Sequence, residues 1–513
     1  MISYSFKGII KYMKLEQSVV NIFRIIFIIQ YIFLFATSFL FSWVNTSIND
    51  EMVYFTKDSV IANIIGSLIV GVICYLFCKF AKGIDVDKLV ICVSIIMALF
   101  SIIWVATSKI QPKADQYYIC EAASLINNGD YSLFEKGEYL AVYPQQLGLV
   151  TLLRVIYYIF GNNNYLPFQV LSALSVGIIV YFGNKIVKKI SNYNTTCSMV
   201  YVIAISSCIP LYLYTSFVYG EVLSLAFMTI AISVLLEIFD TFSYQKVVVL
   251  SLSMAAAILC RKNSEILLIA IVLVLLFKLV FNENKRRTII VITAVLTGVV
   301  LQSAFIKTLY SSHQIEDAKA MPAMLWIAMG TNDDLDWGGS GWFDGTNNDV
   351  FARCNFDPEL AGKAGSERVA AFFTDSTKQP ISYVKFYFRK ITSQWSAPMY
   401  QGIVMNTNSD NRYTGVASGI LKESISRLFE KYMNVSQILA YLGVLLFLTR
   451  KCKEIKIEKY TGLLLCFGGF LFSIMWEAKA RYIFPYFVLL LPYAAIGIAT
   501  LLNSDYLENE IDE

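Results

Sequence analysis

QQLGLVTLLRVIYYIF, residues 145–160, decides how this chain is threaded. The stretch is apolar, but it is shorter than the roughly 20 residues that cross ~30 Å of hydrocarbon, and Arg154 sits inside it. If it spanned a bilayer, Lys185, Lys188 and Lys189 would fall on the outer side and every later loop would invert. As an interfacial helix on the outer face, with Arg154 snorkelling to the headgroups, it leaves a consistent bias of basic residues on one side.

The rest of the chain fits that threading. Of its 513 residues, 57% are apolar and 16% charged, and apolar runs of spanning length recur, which makes it a polytopic all-α membrane protein. About twelve spans are expected, near 19–43, 58–80, 88–107, 166–187, 196–214, 218–239, 246–260, 264–281, 288–307, 434–450, 459–475 and 482–502. With the N-terminus inside, the cytoplasmic loops collect Lys7, Lys11 and Lys14, the Lys185 cluster, Lys285, Arg286 and Arg287, and Arg450 to Lys459. Short outer loops hold few cations, which places both termini in the cytoplasm of a multi-pass plasma-membrane protein. The first apolar segment is too long for a cleavable signal and lacks a small-residue cleavage site, so it is expected to be retained. The net charge of +4 is scattered over loops and does not point to nucleic acid.

The expected organisation is two N-terminal spans (1–87), a transmembrane core (88–307) with an external loop at 108–165, an external mixed soluble insert (308–433), C-terminal spans (434–502) and a short acidic tail (503–513). Within the insert, Ile381 to Trp395 is amphipathic and is expected to lie along the membrane. Gly338 to Gly345 reads as a flexible aromatic loop.

Charges stand out in so apolar a chain. Asp115, in Pro112-Lys113-Ala114-Asp115-Gln116-Tyr117-Tyr118, lies at the outer mouth of a span. It is either a loop residue or a catalytic base at the membrane surface. Arg261 and Lys262 occupy one tight outer turn, and Lys479 and Arg481 occupy another, in Trp476-Glu477-Ala478-Lys479-Ala480-Arg481-Tyr482. Basic groups at that depth suit a phosphate or pyrophosphate, or else lipid headgroups. Glu221, after Tyr219-Gly220, starts a helix and either caps it or contacts an acceptor. Glu477 is placed to orient Arg481 at i+4. His313 is the only histidine and reads as a solvated loop residue, so acid–base work falls to carboxylates. Asp334 and Asp336 form a D-x-D beside Trp337, but a solvated turn suits them better than a metal, and no cysteine or histidine spacing supports a divalent ion. No cofactor is expected. Cys120 and Cys354 both fall in outer loops, where a disulfide between them is sterically open.

The order of these features resembles the GT-C superfamily of integral-membrane glycosyltransferases, in the style of the bacterial relatives of the protein O-mannosyltransferase and aminoarabinose transferase group. A span exit leads to an external Asp. An interfacial helix opened by Tyr143-Pro144-Gln145 follows, and a late Glu-x-x-x-Arg-Tyr turn precedes a proline-containing final helix. The likeness covers roughly 88–500. Two spans precede its first, and Asp115-Gln116 stands where some relatives carry Asp-Glu.

What the resemblance implies is a polyprenyl-phosphate-linked sugar as donor. An envelope glycan, teichoic acid or glycolipid would be the acceptor, on the extracytoplasmic face, with inversion at the sugar. By position, Asp115 would be the general base, and a partly desolvated carboxyl is a stronger base near neutrality. Arg261, Lys262, Lys479 and Arg481 would bind the donor phosphate. Gln116, Tyr118, Tyr143, Gln145, Glu221, Trp342, Glu477 and Tyr482 would contact substrates, and Tyr117 and Trp476 offer further stacking faces. Two rival classes remain, besides a non-catalytic assembly subunit, which would tolerate loss of Asp115. One is a lipid-linked-sugar flippase or transporter, which would carry charge near the bilayer midplane and show repeated halves. The other is an envelope polysaccharide polymerase or ligase, which moves a chain rather than one sugar.

Overall fold

The computed structural model of the chain describes residues 2–45, 53–81, 83–281, 284–315, 317–333, 339–408, 412–450 and 456–502, with side chains at all of these except 2–14 and 375–378. Among the described residues, ten helices are long and apolar enough to cross a bilayer, from Leu15–Leu40 to Phe484–Leu502. Two of the twelve expected spans take other forms. Tyr244–Cys260 is apolar but only 17 residues long. The segment near 196–214 is broken into Thr195–Ser206 and Ile209–Ser216, bent by 56°. Pro210 explains the break: it lacks an N–H and fixes its φ, so it opens the second piece instead of continuing the first.

The helices Glu221–Asp240 and Phe484–Leu502 are the most enclosed, and the main apolar core is built around them. The last span crosses Glu423–Thr449 so closely that a Cβ on Gly497 would collide with the Gly443 carbonyl. Small residues at such crossings bring backbones together where lipid offers no hydrophobic drive. By contrast Val60–Phe80 is little buried and exposes Ile61, Leu68 and Val72. A face like that is stable when hydrocarbon surrounds it.

Residues 145–160 form no helix of spanning length. Pro144–Gln146 forms a 3-10 turn and Leu147–Phe160 a short amphipathic helix, with Leu149, Val150, Leu153 and Ile156 buried and Tyr158 and Ile159 exposed. Arg154 departs from expectation. It turns into the protein, where Nε donates to Asn127 Oδ1 at 3.2 Å, Nη1 donates to the Tyr310 hydroxyl at 3.1 Å, and the guanidinium lies 5.5 Å from that ring.

A small antiparallel hairpin, Phe41–Val44 with Tyr54–Lys57, links the first two spans. The insert at 308–433 resolves into helices, Ala323–Met329, Thr346–Arg353, Pro358–Lys378 and Pro380–Trp395 among them, joined by irregular loops. A single β-bridge, Trp342 to Ala478, ties it to the C-terminal spans. Pro380–Trp395 is amphipathic as expected: Phe386, Lys390 and Trp395 are buried while Ile381 and Val384 are exposed. The tail at 503–513 lies outside the described residues.

Candidate active site

Three segments meet at the insert end of the bundle. The first is the corner before Asp115. Ala114 adopts φ 49° and ψ −131°, so the chain turns sharply and the helix Asp115–Asn127 starts with a carboxylate in its first turn. The helix dipole favours an anion there. Lys113 holds the corner, its Nζ donating to the Val404 carbonyl at 3.0 Å and to the Thr407 hydroxyl. Gln116, expected to contact substrate, is 2% exposed, and its Oε1 accepts from the Val218 N–H at 2.8 Å. Its side chain is a latch between this helix and the loop 217–220.

That loop is the second segment. The broken span ends in the 3-10 turn Tyr214–Ser216, and the next helix starts at Glu221. Gly220 between them has φ +87°, and a Cβ there would strike the Cys260 carbonyl. Only glycine lets the loop press against the end of Tyr244–Cys260. The approach brings Glu221 to Arg261, the residue that follows that helix.

The third segment is 476–482. Ala478 N–H donates to the Gly341 carbonyl at 2.7 Å, and Arg481 N–H donates to Gln401 Oε1 at 3.1 Å. Residues 476–479 are not helical, so Glu477 and Arg481 do not form the expected i,i+4 pair. Glu477 pairs with Lys479 instead.

Together these segments line one cavity of about 910 Å³. It contains Asp115 and all four expected cations, Arg261, Lys262, Lys479 and Arg481. Each cation already has a carboxylate. Arg261 meets Glu221 at 3.1 Å, Lys262 meets Glu265 at 2.6 Å, Lys479 meets Glu477 at 3.3 Å, and Arg481 meets Asp115 Oδ2 at 3.6 Å. Glu221 and Glu477 are buried, each 1% exposed at the side chain, whereas Asp115 is 43% exposed. Burial raises the pKa of Glu477, with Lys479 and then Arg481 pulling it back.

Of the expected substrate contacts, Gln116, Tyr118, Tyr143, Gln145, Trp342, Glu477 and Tyr482 line the cavity. Glu221 does not. It lies behind the wall in an adjoining small cavity of about 20 Å³, with Arg261 and Arg481 on the partition. Trp342 is 4% exposed, and its indole N–H donates to Ser393 Oγ at 2.9 Å, so it pins the insert rather than offering a free face. Tyr117 lies off the cavity and donates to Glu121 at 3.1 Å. Trp476 stacks on Trp326 at 6.0 Å, and Tyr118 stacks on Tyr139 at 5.1 Å. Tyr143, whose hydroxyl donates to Asn348, joins these two stacked pairs into an aromatic wall. Burial, and after it the Asp115 charge, pushes the Tyr143 phenol up to about 12.

Several site residues carry no sequence signal of their own. Tyr219 donates to Asp115 Oδ2 at 3.2 Å and accepts from Gln146 Nε2 at 2.7 Å. Gln146, Tyr139 and Trp326 line the same cavity. The one hint was adjacency, since Tyr219 precedes Gly220-Glu221 and Gln146 follows Gln145.

Other candidates fall elsewhere. His313 stacks flat on Tyr131 at 3.4 Å, not in open solvent. Asp334 and Asp336 lie outside the described residues. Cys120 and Cys354 are both free thiols. Among the described residues no three His, Cys, Asp or Glu side chains come together in a metal-sized group.

No protein-family model matches this chain, and no curated protein matches it. Among solved structures it is similar to ArnT from Cupriavidus metallidurans in the apo state, at 14% sequence identity and a TM-score of 0.33, over 81% of this chain and 76% of that one. A likeness that loose leaves the activity to be read from the cavity.

Proposed function

We propose that this chain is a membrane glycosyltransferase of the GT-C kind. It would move a sugar from a polyprenyl-phosphate-linked donor to an envelope glycan, teichoic acid or glycolipid on the extracytoplasmic face, with inversion. The observation that carries this is the cavity itself. One half-exposed carboxylate, Asp115, stands beside four cations whose counter-charges are already in place.

Both contacts to Asp115 fall on Oδ2. Among the described residues this leaves Oδ1 as the oxygen open to an acceptor hydroxyl. Oδ1 takes the hydroxyl proton as the acceptor oxygen bonds to the anomeric carbon from the face opposite the phosphate. The bond from the anomeric carbon to the phosphate oxygen breaks, and both its electrons leave with the polyprenyl phosphate. Arg481, Arg261 and Lys479 stabilise the charge that develops there, and the arginines do so with planar forks that match phosphate. Sugar faces stack along the Tyr118, Tyr143 and Trp476 wall.

Asp115→Asn tests the base. It is compared with wild type in cells lacking the native gene, at equal membrane abundance, by mass spectrometry of envelope glycans and lipid-linked sugars. One sugar substituent is expected to disappear while its lipid-linked donor persists. Decoration at the wild-type level by Asp115→Asn would end the proposal.

A further inference from the structure

Tyr219 is 6% exposed and sits where every charged part of the proposed machinery converges. Its hydroxyl donates to Asp115 Oδ2 at 3.2 Å and is itself held by Gln146 Nε2 at 2.7 Å. Its ring lies 4.7 Å from the Arg261 guanidinium and 5.2 Å from that of Arg481. Two like charges are thus seated on one aromatic ring, which offsets part of their repulsion through its quadrupole. Gly220 and the Gln116 latch to Val218 fix the loop that carries this ring.

The geometry points to Tyr219 as the positioning residue that couples the base to the phosphate-binding arginines, its hydroxyl aiming Asp115 and its ring seating Arg261 and Arg481. The inference rests on Asp115 being the base, and it adds two separable roles for one side chain. A hydrogen bond from the phenol stabilises the carboxylate charge and fixes which oxygen faces the acceptor. The phenol remains a donor across the working range, because burial and then the Asp115 charge hold its pKa well above the ordinary tyrosine value.

Two substitutions separate the roles. Tyr219→Phe keeps the ring and removes the hydroxyl, and Tyr219→Leu removes both. Each is made in the full-length chain and compared with wild type and Asp115→Asn. One readout is sugar transfer in intact cells. The other is binding of a sugar-free polyprenyl phosphate to the purified protein in lipid nanodiscs.

For Tyr219→Phe, transfer should drop on the order of tenfold, the loss expected for one hydrogen bond to a charged group. Polyprenyl-phosphate affinity should stay within about twofold, since the ring is retained. Tyr219→Leu should lose transfer and also bind the polyprenyl phosphate about tenfold more weakly.

If Asp115→Asn is inactive but Tyr219→Phe keeps wild-type transfer, the positioning role is wrong while the base assignment stands. If Phe and Leu weaken polyprenyl-phosphate binding equally, the ring is not the seat of the arginines. If Asp115→Asn itself transfers sugar normally, the failure lies with the proposed function.

Discussion

Glu221 and Arg261 form an ion pair of 3.1 Å in which the carboxylate is 1% exposed and the guanidinium 14% exposed. Such a pair is asymmetric. Removing the cation strands a buried anion, whereas removing the anion leaves a guanidinium that still faces the main cavity.

Arg261→Ala should therefore destabilise the protein by about 3–5 kcal/mol, more than Glu221→Gln does. Adding Glu221→Gln to Arg261→Ala should recover much of that loss without restoring transfer. Thermal unfolding of the four proteins in one detergent checks this. Additive losses would mean the pair is not coupled.

Lys479 and Arg481 are buried, but Lys262 is 51% exposed and its partner Glu265 is 40% exposed. Exposed pairs contribute little. Lys262→Met should cost transfer less than about threefold. Arg481→Lys should cost on the order of tenfold or more, because an ammonium cannot reproduce the fork that faces Asp115 and the phosphate site. Transfer assayed at matched abundance decides it, and equal effects would sink the ranking.

Lys390 is fully buried on the insert helix Pro380–Trp395, with its Nζ donating to the Gly330 carbonyl. Desolvation lowers its pKa from 10.5 to about 7, with only Glu477 opposing. The unfolded chain binds this proton up to its own higher pKa, and the folded chain releases it earlier. Stability should therefore rise with pH between about 7 and 10.5, with a slope approaching about 1.4 kcal/mol per pH unit. It should level off below that window, where both states are protonated. Lys390→Met should flatten the slope. Unfolding midpoints across the alkaline range give the comparison, and an unchanged slope would count against Lys390 as its source.

The insert docks on the 476–482 turn through glycines. Gly341 has φ +76°, and a Cβ there would lie 2.6 Å from the Gly330 carbonyl and 2.9 Å from Lys390 carbons. A Cβ on Gly330 would lie 2.7 Å from the carbonyls of Met475 and Trp476. Gly341→Ala should part the Trp342–Ala478 bridge, disturb Lys479 and Arg481, and lower transfer while the spans stay folded. Limited proteolysis of the insert alongside the transfer assay tests it. A protease-resistant, fully active variant would contradict the docking role.

The charged half of the site could be read from the chain because Asp115, Arg261 and Arg481 contrast with apolar surroundings. Tyr219 could not, since the chain holds 32 tyrosines and rings at a membrane surface are unremarkable. The carboxylate partners were likewise hidden. Glu221 finds Arg261 only because Gly220 lets two helix ends touch, a tertiary event that no local pattern encodes. Arg154 was misplaced for the same reason: its partners Asn127 and Tyr310 are distant in sequence. Ten of the expected spans were legible because they rest on length and hydropathy, which do not depend on tertiary contacts. The bend at Pro210 and the hairpin after the first span were lost at the scale of single residues.

The pairing of Arg261, Lys262, Lys479 and Arg481 with carboxylates bears on turnover. A sugar phosphodiester carries one negative charge, and the phosphate left after transfer carries up to two. Four bare cations would hold that product harder than the donor and stall after a single cycle. Cations that already face carboxylates hold the spent carrier less tightly.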